Sequence, residues 1–370
     1  MRPKLLAIAA AAWLVAASAA AQSPIVVHHI GPLTGVLAAS NKEALDGAKL
    51  YLDSLNARGG VQGRPVQMQT LDDAQDPKRT VEHINKLLAA NQLLALMMPR
   101  TTPSTEAMLP LSAQHGVPVI GPQAGGLFIN QPPRREVFTL RASYQKEAET
   151  AIRQQRSIGV RNFGLLLADD AFGRDTLAGI ERTMNELQLK PVVTARIDNR
   201  KPDVAEALKQ LLAAKPQVVL LIVSSRAAAE TVKGFRAAGA SATFISLSNT
   251  SNNDYINALG DQRRGAIVMQ VMPSPYSGST ILARDYAAAA AKGQQPISYA
   301  GLYGYASARL LGTALQKTGR EPTRGALIQA LESLGDHDLA GLRLRYGPGE
   351  RLGSSFVDST IITEDGRFRR

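Results

Sequence analysis

The chain has 370 residues, 45% hydrophobic and 20% charged, with no cysteine and a formal net charge of +11. This length suits two domains rather than one core, and the missing thiols exclude disulfides, cysteine metal sites and a lipid-modified cysteine anchor. The basic residues are scattered, without long like-charge runs and without aromatic interleaving, which argues against nucleic-acid binding and leaves the charge a matter of solubility and steering.

Arg2 and Lys4 precede an apolar run over 5–17, and Ser18-Ala19-Ala20-Ala21 follows it. This is the order of a secretory signal peptide, assigned to 1–21 with cleavage after Ala21. The run is too short and too alanine-rich for a membrane span, and nothing later is apolar enough to be one. Removing 21 of 370 residues leaves 349, and losing Arg2 and Lys4 takes the charge from +11 to +9.

Residues 25–30 (IVVHHI) read as a strand ending at Gly31-Pro32, and 33–41 as a polar loop of small residues. Ala44, Leu45, Ala48, Leu52 and Leu55 recur at helical spacing, and Arg58-Gly59-Gly60 stops that helix. A strand at 66–71 and a helix opened by Asp76-Pro77 come next. The apolar run 93–98 is a buried strand, Thr101-Thr102-Pro103-Ser104-Thr105 starts a helix, and 117–121 is another strand ending in Pro122-Gln123-Ala124-Gly125-Gly126. After a short strand at 137–141 the cycle restarts. Helices are expected at 146–157, 177–187, 204–213 and 227–237, strands at 163–168, 192–197, 218–223, 244–247 and 265–272, and a turn at 169–173. Helices at 281–291, 299–315 and 323–334 and strands at 342–346 and 356–363 close the chain. The alternation argues for an α/β fold of two doubly wound parallel-sheet lobes with a cleft between them. Three crossover segments near Ser143, Ser274 and Gly347 would give one lobe 22–142 plus 275–346 and another 143–274 plus 347–370.

None of the five histidines stands in metal-ligand spacing, so no metal or cofactor is expected. No phosphate loop, nucleophile elbow or nucleophile–base constellation is present. What recurs is a set of turns rich in small and hydroxyl residues where strands end: 34–41 with Ser40, 101–105 with Thr102, Ser104 and Thr105, 123–126 with Ala124, Gly125 and Gly126, 169–172 with Asp170 and Phe172, Ser224-Ser225, and 248–250 with Ser248. In doubly wound sheets ligands sit at those edges. Helix starts there offer unpaired N–H groups to a carboxylate or another small anion.

Gly31-Pro32-Leu33-Thr34-Gly35, Asn56-Ala57-Arg58-Gly59-Gly60-Val61-Gln62-Gly63, Asp72-Asp73-Ala74-Gln75-Asp76-Pro77, Ala171-Phe172-Gly173 and Gly304-Tyr305-Ala306-Ser307-Ala308 together resemble the leucine/isoleucine/valine-binding proteins. These are type I periplasmic binding proteins of branched-chain amino acid ABC transporters. The resemblance covers essentially the whole chain after the signal peptide. It implies a clamp without catalysis in the periplasm, not lipid-anchored and monomeric, that carries a small molecule to a membrane permease and its ATPase. By position it implies a carboxylate grip at Thr102, with Ser104 and Thr105 beside it, and backbone contacts near Ala124, Gly125 and Gly126. It places an aromatic lid at Phe172 and a loop contact near Ser40. Ser248 stands where amino-acid binders carry the acid for the ligand's ammonium, and Ser224 or Ser225 replaces an expected tyrosine. Either Asp170 or Asp254 substitutes for that acid, or the ligand is not an α-amino acid, because a buried ammonium without a carboxylate is costly. A sensory module built on the same clamp is the alternative function, and a secreted enzyme on a doubly wound fold is the third.

Overall fold

A computed structural model describes residues 23–370, so the signal peptide read over 1–21 lies outside the described residues. The first sheet runs β2 (Val66–Asp72), β1 (Ile25–Gly31), β3 (Leu96–Met97), β4 (Val119–Ile120), β5 (Val137–Phe138), all parallel. Pleating sends alternate residues to opposite faces. Ile30, Leu96, Val119 and Val137 meet α2 (Pro77–Ala89) and α3 (Thr102–His115) on one face. Val27, Met97, Ile120 and Phe138 meet α1 (Ala38–Ala57) and the late helix α10 (Tyr299–Leu315) on the other.

The second sheet repeats the order. It runs β7 (Val193–Ile197), β6 (Phe163–Ala168), β8 (Val218–Ile222), β9 (Thr243–Ser246), β10 (Ile267–Gln270) in parallel, then adds β14 (Asp358–Ile362) and β15 (Phe368–Arg369) antiparallel. Helices α4 (Tyr144–Ser157) and α5 (Ala171–Glu186) cover one face, and α6 (Ala205–Ala214), α7 (Ser225–Ala237) and α8 (Asn253–Leu259) the other. In each lobe strand order reverses direction beside the first strand of the unit, between β1 and β3 and between β6 and β8. A crevice opens at such switch points.

The structure departs from the expected boundaries for identifiable reasons. Strands β3 to β5 form ladders of two residues each, and Met98 leaves the extended region with φ 50°. Helix α1 starts at Ala38, inside the expected loop, and no capping residue marks that start, since Leu37 before it has no side chain that could cap. Helix α5 starts at Ala171, inside the expected turn 169–173, with Asp170 as its cap. Helix α8, capped by Asn252, had no clear periodicity to announce it. The three-stranded sheet of β11 (Asp336–Asp338), β12 (Arg343–Gly347) and β13 (Glu350–Gly353) was anticipated only in its middle strand. Beside β13, the Thr139 hydroxyl donates to the carbonyls of Arg351 and Leu352.

Helices α1 and α10 touch backbone to backbone. A Cβ on Gly304 would stand 1.8 Å from the Ala44 carbonyl oxygen, and one on Gly47 1.9 Å from that of Gly301. Ordinarily Gly→Ala inside a helix is favourable by about 1 kcal/mol. Here Gly304→Ala is expected to destabilise by about 1–3 kcal/mol through overpacking, read as an earlier denaturant midpoint. A later midpoint would show that the two helices can part at no cost.

Candidate functional site

A cleft of about 590 Å³ lies at the C-terminal ends of strands from both sheets. Its first-lobe wall is the start of α3. Thr101 caps that helix by accepting from the Ser104 N–H at 3.2 Å, and Pro103 sits in the first turn, where its missing N–H costs nothing. Thr102 is buried and lines the cleft. The opposing wall is the start of α5. Asp170 accepts from the N–H groups of Phe172 (2.8 Å) and Gly173 (3.3 Å), and burial pushes its carboxyl up against the pull of those bonds. Phe172 packs against Tyr144, ring centres 4.5 Å apart.

Arg100 forms the floor. It lies three residues beyond the end of β3, is 8% exposed, and lines both the cleft and a smaller chamber behind it. Its Nη2 donates to Ser40 Oγ (3.3 Å) and to the Asn249 carbonyl (3.2 Å), while its Nε is buried without a partner. No carboxylate among the described residues forms an ion pair with it. Glu43 and Asp254 act on it only at longer range, and burial lowers its affinity for the proton. Glu43 is already engaged, accepting from the N–H groups of Asn253 (2.9 Å) and Asp254 (3.2 Å). Beneath Arg100, His29 bonds the Met97 carbonyl and Asn41, each at 3.0 Å. Burial brings its pKa down to about 4, so it stays neutral. A buried, unpaired guanidinium at a cleft floor is poised for an anion.

The hinge is held differently. Arg141 and Glu147 form a fully buried ion pair. Arg141 also donates to Ser248 Oγ (2.9 Å) and the Gln123 carbonyl (2.6 Å), and its guanidinium lies 4.2 Å over the Tyr144 ring. Glu147 accepts from the Ser248 N–H (2.7 Å) and hydroxyl (3.0 Å). Burial raises the Glu147 carboxyl, and Arg141 opposes that shift. The lobes also meet at Leu127, whose N–H donates to both oxygens of Asp175 at 3.0 Å, and at Arg174–Glu106, 3.7 Å apart.

Of the residues singled out in the sequence, Thr102, Asp170 and Phe172 come together around the cleft. Ser40 stands behind Arg100. Ser104 and Thr105 are fully buried and turned into the fold: Ser104 donates to Asp73 (2.8 Å) and Thr105 to the Thr101 carbonyl (2.7 Å). Ala124 packs into the first-lobe core. Gly125 lies under the Arg141 guanidinium, and Gly126 lies against Phe128 and the Thr102 methyl. Ser225 bonds Asn252 (3.3 Å), and it is Ser224 that lines the cleft. Ser248 faces the smaller chamber, held by Arg141 and Glu147. Asp254 lines neither cavity. Arg100, Arg141 and Glu147 were not anticipated, and Asn249 only as part of the turn 248–250. Only Arg100 carried a local signal, a cation set between an apolar strand and a hydroxyl-rich helix start.

Residues 24–355 match the family model described as "Periplasmic binding protein". The Leu/Ile/Val-binding protein BraC3 of Rhizobium johnstonii is 24% identical over 338 residues, covering 91% of each chain. The crystal structure of a substrate-binding periplasmic protein from Ralstonia solanacearum superposes with a TM-score of 0.88 at 28% identity, over 93% of this chain and 99% of that one. A fatty acid ABC transporter substrate-binding protein from Thermomonospora curvata shares the fold, with a TM-score of 0.82 at 20% identity over 93% and 90% of the two chains. With two like-wound lobes around a cleft at their switch points and a family match over most of its length, this chain belongs to the type I periplasmic binding proteins.

Proposed function

We propose that the protein is the solute-binding component of an ABC importer and closes on a small carboxylate-bearing ligand that lacks an α-ammonium group. One observation carries this reading: the buried Arg100 guanidinium, unpaired within the fold, at the cleft floor. A ligand carboxylate would complete it, with the Thr102 hydroxyl and the start of α3 beside it. An ammonium on the hinge side would meet Arg100 and Arg141, while Glu147 is held by Arg141 and Ser248 and Glu43 by the N–H groups of Asn253 and Asp254. Asp170 offers a carboxylate on the opposite wall, and an α-amino acid would have to turn its ammonium that way. Phe172 and Tyr144 would supply the apolar wall for the ligand's carbon skeleton.

On this reading residues 1–21 direct export to the periplasm and are removed, and the mature clamp is an unanchored monomer. It delivers its ligand to a permease driven by an ATPase and performs no catalysis. We take the first lobe as 22–142 with 275–353 and the second as 143–274 with 354–370; the bonds from Thr139 to β13 support moving the last junction from the expected 346/347. Closure follows from the ligand's contacts with both walls, which favour the closed form over the open one.

The test is a thermal-shift and calorimetry panel of leucine and valine against the matched acids 4-methylpentanoate and 3-methylbutanoate, with 3-phenylpropanoate as an aromatic acid. A true ligand stabilises by about 2.7 kcal/mol at a hundredfold excess over its dissociation constant and is recovered unchanged. Preference for leucine or valine over every acid would defeat the proposed ligand class, and turnover of a bound acid would defeat the transport role.

A further inference from the structure

Tyr144 opens α4 of the second lobe, directly after the crossover at Ser143. It lines the cleft beside Arg100, Thr102 and Phe172, at 2% exposure. Three contacts fix its place. The N–H donates to the Gly125 carbonyl at 2.7 Å, the ring centre lies 4.5 Å from that of Phe172, and the Arg141 guanidinium sits 4.2 Å from the ring centre. Gly126, next to Gly125, lies against the Thr102 methyl, which sets the tyrosine beside the start of α3.

The ring is held, but the phenol proton is not. No acceptor among the described residues takes it, and the oxygen is not one of the buried polar atoms closed off from solvent, as Arg100 Nε is. Tyr144 lines the cleft and not the chamber behind Arg100, so the cleft is where its oxygen is reached. Arg100 and Arg141 both stand within electrostatic reach of the hydroxyl. Neither can take its proton, since a guanidinium carries donors only. Arg141 is also committed elsewhere, to Ala142, Gln123, Glu147 and Ser248. Arg100 is less committed: only its Nη2 is bonded, and its Nη1 is not closed off. A second-lobe hydroxyl and a first-lobe guanidinium thus line one cleft, each with a donor unmet.

We propose that the Tyr144 hydroxyl donates to the ligand's carboxylate, the same group that Arg100 holds from the other lobe, so that one carboxylate ties the two lobes together. The proposal rests on the reading that Arg100 takes the ligand's carboxylate. It makes Tyr144 a specificity-determining residue. A carboxylate answers both donors at once, and it makes this pair of contacts only when the lobes are together, which favours the closed form.

Tyr144→Phe tests it, because it keeps the ring between its neighbours and removes only the O–H. Calorimetry with 4-methylpentanoate and 3-phenylpropanoate is expected to show at least about a tenfold loss of affinity for the acid that binds. The unliganded melting point, which reads any effect on the fold separately, is expected to stay where it is. Combining Tyr144→Phe with Arg100→Lys completes a cycle: two groups on one carboxylate should give losses that do not add. Equal affinity of Tyr144→Phe and the parent, with binding lost in Arg100→Met, would overturn the role of Tyr144 and leave the carboxylate reading standing. Losses that add in full would place the hydroxyl on another part of the ligand and overturn the bridge. Binding of leucine with no binding of either acid would defeat the proposed ligand class, and the same cycle run on leucine, which also carries a carboxylate, would then decide the role of Tyr144.

Discussion

Arg100→Met is expected to abolish ligand binding while leaving the fold at least as stable as the parent. The two effects have opposite signs because one group causes both. In the unliganded protein Arg100 is a buried cation with an orphaned Nε and no carboxylate partner. Replacing such a group with an apolar side chain of similar volume is neutral or stabilising, by about 1–4 kcal/mol where buried ion pairs have been exchanged in this way. In the complex the same guanidinium would hold the ligand's carboxylate away from water, and losing one partner of such a pair costs about 2–5 kcal/mol. Since about 1.4 kcal/mol is tenfold in affinity, the expected loss is at least roughly thirtyfold. Calorimetry gives the affinity and unliganded melting gives the stability. Arg100→Lys should fall between, keeping the charge but losing the planar fork. A methionine variant that binds an acid as well as the parent does would remove Arg100 from the site.

Glu147→Leu should be the most destabilising single change at the hinge. It would leave Arg141 buried at 4% exposure without its counter-charge, a defect of about 3–5 kcal/mol. It would also free the Ser248 N–H and hydroxyl, which Glu147 now accepts. The double variant Arg141→Met/Glu147→Leu removes both charges and should recover part of the loss, because groups in one network do not contribute additively. Denaturant unfolding of the parent, both single variants and the double variant forms the cycle. Losses that simply add would mean that the pair is not coupled, and the hinge would have to be held by Tyr144 packing and the Gln123 carbonyl instead.

The cleft lining was legible in part. The positions of Thr102, Asp170 and Phe172 could be read because helix starts at strand ends announce themselves locally, through capping residues, proline and small side chains. Ser104 and Thr105 carry the same local signal yet face the interior, since successive positions on a helix start point in different directions. Ser248 is a further case. Its environment could not be read, because the groups that hold it lie about a hundred residues away, Arg141 at a separation of 107 and Glu147 at 101.

The sequence by itself determined the alternation of strands and helices, the two winding units and the turns that edge the cleft. Those features follow from run length, periodicity and capping chemistry, which act over a few residues. Only the tertiary structure decided which charges are answered. Arg141 finds Glu147 across the crossover, whereas Arg100 meets a main-chain carbonyl from Asn249, 149 residues on, and no acid. Whether a buried charge is paired depends on neighbours brought together through space by sheet order and lobe contact. That pairing makes one arginine a structural tie and leaves the other without a counter-charge among the described residues.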